Sequence, residues 1–192
     1  MTRMLARDVT DLVLRWRADG MTVWLVGGWG VDALLGEESR PHHDLDIVLE
    51  YQTLGHFAES MMDQGFHRIS DDGSFNHVFR DADGREVDVR LVDTSCRHRT
   101  PTGTDVYAGD GLPFEVGALN GRGTVGGEPV DCCTADYQVR TRLGSFLEEL
   151  DDNARRDVLA LHRRLRTPLP TGYSDAFTTA TGTTVPPAFP PG

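Results

Sequence analysis

The order and spacing of apolar residues predict an α+β domain with a mixed β-sheet and a helical C-terminal part. Three observations carry this. Apolar residues recur at helical spacing near the N-terminus. Two short apolar strands then flank a glycine-rich helix. Hairpin signals follow, and two further helical stretches come after them.

Leu5, Val9, Leu12, Val13 and Trp16 predict an amphipathic helix over about residues 3–19, closed by Gly20. Thr22 to Val26 reads as a buried strand broken by Gly27-Gly28. Trp29 to Leu35 reads as a short helix stopped by Gly36. A polar loop, Glu37 to His43, enters the alternating strand Asp44 to Leu49. Leu54, Phe57, Ala58, Met61 and Met62 mark a second helix, ended at Gly65.

Phe75 to Arg80 is expected to pair with Arg85 to Val92 around Asp81-Ala82-Asp83-Gly84. Asp93 to Gly111 reads as irregular and polar. Arg122 to Val125 and Glu128 to Cys132 form a second expected hairpin around Gly126-Gly127. Helices are expected over about 134–147 and 152–166. Residues 167–192 are rich in Pro, Thr and Gly with one charge, Asp175, and read as a tail without its own core. The expected division is 1–110, 111–166 and 167–192.

The bulk numbers narrow the chemistry. Net charge is −11, which disfavours extended nucleic-acid binding and favours a cationic partner. All 19 basic residues are Arg, so Schiff-base and Walker lysines are excluded. Any phosphate clamp must use Arg or backbone N–H groups. Cys96, Cys132 and Cys133 fit neither a disulfide framework nor a paired zinc site, which points to a reducing cytoplasm. The charged N-terminus lacks a signal-peptide core, and no apolar run is long enough to span a bilayer.

Asp44 and Asp46 share one face of their strand, while Leu45, Ile47 and Leu49 bury the other. Paired carboxylates repel unless a cation lies between them, and hard oxygen ligands suit Mg²⁺. Alone, the pair also fits a solvated strand face. Asp88 stands between Val87 and Val89, so a neighbouring strand could bring it beside that pair. Three carboxylates on adjacent strands are what two Mg²⁺ ions require. A cross-sheet pairing of Asp88 with an Arg is the competing reading.

Gly27-Gly28, between strand and helix, would let backbone N–H groups approach a phosphate. Arg40, four residues before Asp44, could grip a triphosphate or neutralise Glu37 and Glu38. His42 and His43 suit positioning better than Mg²⁺ ligation, because Mg²⁺ prefers oxygen. Trp29 could stack near a nucleotide or pack in the core.

The combination is more specific than its parts. The run from Trp24 to Gly36, followed by Arg40-Pro41-His42-His43-Asp44-Leu45-Asp46-Ile47, closely resembles antibiotic nucleotidyltransferases of the lincosamide and aminoglycoside 2″-O type. These typically show G-G-W-x-x-D-x-L-x-G, then R-x-H-x-D-[IL]-D. Weaker resemblance continues through Val87-Asp88-Val89 and the Gly126-Gly127 hairpin to the helix containing Gly144. Where lincosamide members often carry His, this chain has Arg142.

The resemblance implies a polymerase-β-like nucleotidyltransferase core with Asp44, Asp46 and Asp88 as metal-binding and catalytic carboxylates. It implies nucleotide binding by Gly27, Gly28, Trp29 and Arg40. Two Mg²⁺ ions and an NTP, ATP first, would serve transfer to a hydroxyl of an antibiotic-like acceptor. Asp88 would ligate metal or accept the hydroxyl proton. The acceptor site would be shaped by 111–166 and the Asp93–Gly111 segment. The acidic runs Asp71-Asp72 and Glu148 to Asp152 could attract a polyamine or simply be solvated. Family members often pair around one cleft, which leaves a homodimer open. A minimal nucleotidyltransferase that AMPylates a partner protein is the alternative function.

Overall fold

This computed structural model describes residues 3–69, 77–109, 113–143 and 152–169. The chain forms two compact units, Met1–Thr134 and Ala135–Gly192.

The first unit opens with α1 (Ala6–Ala18), which turns Val9, Leu12, Val13 and Trp16 inward. Leu5 and Asp8 tie its start together, with Leu5 N donating to Asp8 Oδ2 at 2.9 Å. Gly20 follows with φ +77°. The expected helix began about three residues earlier; the chain there instead bridges Met4 to His42.

Next come β1 (Val23–Leu25), α2 (Gly27–Leu35), β2 (Asp44–Glu50), a short 3₁₀ turn (Tyr51–Thr53) and α3 (Leu54–Asp63). α2 begins at Gly27 rather than Trp29, with Val26 as its N-cap. The glycine pair is therefore the first turn of the helix itself. Strands β3 (His67–Arg68), β4 (His77–Arg80), β5 (Glu86–Arg99), β6 (Asp105–Gly109), β7 (Phe114–Glu115), β8 (Gly121–Val125) and β9 (Glu128–Cys132) complete the unit.

Among the described residues, nine strands make one mixed sheet in the order β3-β4-β5-β2-β1-β9-β8, with β6 and β7 continuing from β5. β2 runs parallel to β5 and antiparallel to β1. Leu45, Ile47, Leu49, Val87, Val89 and Leu91 share one core-facing side and are buried. There the ring of Phe57 packs tilted on Trp16 and edge-to-face with Phe79, at centroid distances of 5.1 and 5.4 Å.

The first hairpin holds from His77, with Arg80 opposite Glu86; residues 75 and 76 lie outside the described residues. Within the segment 93–111, expected to be irregular, residues 93–99 and 105–109 are instead strand, and 110–111 lie outside the described residues. β5 runs on to Arg99 and pairs with β6, with a register shift between Asp93 and Arg97. Its outer part is exposed, so it lacks the apolar alternation that marks a half-buried strand. Cross-strand pairing holds it, including Arg97 Nη2 to Asp105 Oδ2 at 2.6 Å.

The second hairpin closes at Gly126 and Gly127, with φ +59° and +87°, as a two-residue turn with positive φ at both central positions requires. It belongs to the first unit, because β9 pairs in parallel with β1 at Leu25 and Cys132. The first compact unit runs to Thr134.

The second unit contains α4 (Ala135–Leu143) and α5 (Asp152–Leu165). Val139, Leu143, Val158 and Leu161 are buried. Arg142 Nη2 meets Asp157 Oδ2 at 3.0 Å. Expected helix residues 144–147, the acidic runs at Asp71-Asp72 and Glu148 to Asp151, and tail residues 170–192 lie outside the described residues. Among the described residues no helix is long and apolar enough to cross a membrane.

Candidate active site

The parallel pairing of β2 with β5 sets Asp46 directly opposite Asp88, and Asp44 opposite Glu86. Neighbouring strands lie about 4.8 Å apart. Strand alternation turns all four acids away from the apolar face formed by Leu45, Ile47, Val87 and Val89. The three carboxylates singled out in the sequence thus stand at one end of two adjacent strands.

Electrostatics mark the cluster. Burial, then the charges of Asp44 and Glu86, push the Asp88 carboxyl up to about 6, against a smaller pull from Arg80. Arg80 is engaged with Glu86, its Nε donating to Oε1 at 2.7 Å. Oδ1 of Asp88 is buried and has no hydrogen-bond partner among the described residues. A buried acceptor left unmade costs about 1–3 kcal/mol. Glu86 was not singled out in the sequence. Its position two residues before Asp88 on one strand was the available signal.

α2 brings backbone up to these acids. Val26 N donates to Asp46 O at 3.0 Å, which stitches the start of α2 to β2. Gly27 has φ +65°, and a Cβ there would lie 1.8 Å from Asp46 Oδ2. Gly27 is therefore glycine for both backbone and steric reasons. Gly28 is close to other groups: a Cβ would lie 2.3 Å from His42 Nδ1 and 2.7 Å from Arg40 Nη2. Arg40 thus reaches the first turn of α2, where helix N–H groups lack intrahelical acceptors.

Trp29 does not offer a face for a nucleotide. It is 2% exposed, and its ring packs on His42 at 4.6 Å between centroids. Of the two readings of Trp29, this burial and ring contact suit packing. Pairing of Asp32 with His42 was not read from the sequence. His42 Nε2 and Asp32 Oδ2 lie 2.6 Å apart, with both side chains buried. His43 is exposed. Arg90, two residues beyond Asp88, lies over Phe114 at 5.2 Å.

Among the described residues no three His, Cys, Asp or Glu side chains already converge as a closed metal-binding set. The donor chemistry nonetheless fits a hard cation. Asp44, Asp46 and Asp88 offer only oxygens, one of them buried and unpartnered, and their mutual repulsion calls for a positive charge.

The mixed sheet and its flanking helices share their fold with solved antibiotic nucleotidyltransferases. LnuA, a lincosamide antibiotic adenylyltransferase solved with lincomycin bound, matches with a TM-score of 0.68 at 17% identity, covering 83% of this chain and 98% of that one. ANT(2″)-Ia, solved with adenylyl-2″-tobramycin, matches with a TM-score of 0.62 at 15% identity, covering 83% and 88%. The chain belongs to the aminoglycoside-2″-adenylyltransferase family, whose sequence model matches residues 8–161. The lincosamide resistance protein of Staphylococcus haemolyticus is 41% identical over 46 residues, 24% of this chain and 29% of that protein. That match therefore spans under a third of the curated relative's length.

Proposed function

We propose that this chain transfers a nucleoside monophosphate from an NTP, ATP in the first instance, to a hydroxyl of a small antibiotic-like acceptor and releases pyrophosphate. The observation that carries the proposal is the register of Asp46 against Asp88, with the buried, unpartnered Oδ1 of Asp88 beside it. Asp44, Asp46 and Asp88 would hold two Mg²⁺ ions, which when bound activate the attacking oxygen and stabilise the leaving one.

The remaining work falls to the chain's own residues. Arg40 offers a bidentate guanidinium to the phosphates, and the backbone at Gly27 and Gly28 offers N–H groups beside it. The acceptor oxygen bonds to the α-phosphorus, and the α–β bridging bond breaks in line. Pyrophosphate leaves with that electron pair. Asp88, with its carboxyl raised to about 6, ligates metal or receives the acceptor's proton.

The acceptor is an aminoglycoside or a lincosamide. A net charge of −11 favours the polycationic aminoglycoside, in keeping with the family's name. The acidity also argues against nucleic acid as substrate. Three free cysteines suit a reducing cytoplasm. A homodimer belongs to the same reading.

Mass spectrometry with Mg-ATP and a panel of aminoglycosides and lincosamides tests it. The expected product is one acceptor carrying one adenylate. Adenylate found only on a protein would favour the AMPylating alternative. Full transfer by Asp46→Asn would overturn the carboxylate assignment.

A further inference from the structure

The loop Gly36–His43 carries Arg40 and delivers Asp44, and one side chain holds it on both sides of Arg40. Asp32 Oδ1 accepts from Ser39 Oγ at 2.5 Å. Asp32 Oδ2 meets His42 Nε2 at 2.6 Å. Ser39 immediately precedes Arg40, and His42 follows two residues later. Asp32 lies four residues after Gly28, so the two share one face of α2. The missing side chain at Gly28 makes room on that face for the His42 ring and Arg40 Nη2. Trp29 closes the other side of the imidazole.

Stability alone does not account for this pair. Asp32 and His42 are 2% and 1% exposed. Burying two polar groups costs several kcal/mol, and well-packed apolar residues often serve stability equally well. What the polar pair supplies is direction: a fixed carboxylate allows one placement of the loop. That placement sets a guanidinium against the first turn of α2, where backbone N–H groups also attract anions.

We propose that Asp32, with Ser39 and His42, is a positioning device that fixes Arg40 over the first turn of α2 to receive the nucleotide's phosphates. The inference rests on the nucleotidyl-transfer reading above. Asp32 touches no substrate and acts through Arg40.

The test measures kcat and separate KM values for ATP and acceptor in the full chain. Ser39→Ala, Asp32→Asn and Arg40→Ala are each expected to raise the KM for ATP about tenfold, which corresponds to about 1.4 kcal/mol. Acceptor KM should stay within about twofold. Asp32→Asn added to Arg40→Ala should cost nothing further, because both remove one interaction. His42→Gln, which keeps a donor for Asp32, should recover part of the loss seen in His42→Leu.

An unchanged KM for ATP in Ser39→Ala and Asp32→Asn, with Arg40→Ala impaired, overturns the positioning role alone. Multiplying effects in the double variant overturn it too. An unchanged KM in Arg40→Ala removes the phosphate clamp from the proposed function, and the positioning role with it. Where Asp32→Asn does not fold, Ser39→Ala decides, since it deletes one bond at an exposed hydroxyl.

Discussion

Replacing Asp88 by Asn should make the metal-free protein more stable while abolishing transfer. The Asp88 carboxyl rises from 3.8 to about 6 in the folded state. Between those values the folded chain binds more protons than the unfolded one, so stability falls as pH rises through that window. Above it the penalty is complete. A rise of about two units corresponds to roughly 3 kcal/mol at 1.36 kcal/mol per unit. Asp88 is only half-buried, and solvent screening reduces this to about 1–2 kcal/mol. For a chain of this size that is roughly 2–8 °C in Tm.

The assay is thermal unfolding of parent and Asp88→Asn in EDTA at pH 8 and at pH 5. The variant should be the more stable at pH 8, by about twice its margin at pH 5. Adding Mg²⁺ should stabilise the parent more than the variant, which keeps only Asp44 and Asp46. A variant no more stable than the parent at pH 8, or a margin that ignores pH, would refute the electrostatic reasoning.

Three further outcomes follow from named contacts. Gly27→Ala forces a Cβ to within 1.8 Å of Asp46 Oδ2 at a φ of +65°, so it should lose about 1–3 kcal/mol of stability and most transfer, read by urea unfolding and adenylate incorporation. Burial pushes the thiols of Cys132 and Cys133 up to about 12, whereas Cys96 is exposed. A thiol reagent at pH 8 should therefore titrate one cysteine in the native protein and all three in guanidinium. Asp157→Ala leaves Arg142 with Gln138 Oε1 but without its carboxylate at 3.0 Å and should destabilise the chain by about 2–4 kcal/mol, whereas paired replacement by apolar residues should restore much of the loss.

The parts of the site that follow a period were legible in the sequence. Asp44, Asp46 and Asp88 each interrupt an apolar alternation, so their shared face could be read before their register was known. Turn chemistry was equally plain at Gly126 and Gly127, where both residues need positive φ. Relations across a loop were not legible. The pairing of Asp32 with His42 spans ten residues with no repeat to betray it. Gly28 was read for the phosphate it could admit, whereas its neighbours are a ring and a guanidinium. The outer half of β5 escaped for the opposite reason: its residues are exposed, so hydrogen bonding without burial left no apolar signature.

The parallel register of β2 and β5 also has a kinetic meaning. The two strands are far apart in sequence, with α3 and the β4 hairpin between them. Asp46 and Asp88 face each other only after that long closure, a late and slow kind of contact. The acids repel one another only once the sheet around them exists to hold them. During synthesis the chain is free of that repulsion until Glu86 and Asp88 have left the ribosome and docked. The strain that marks the site is thus imposed by tertiary closure and is absent from the separate strands.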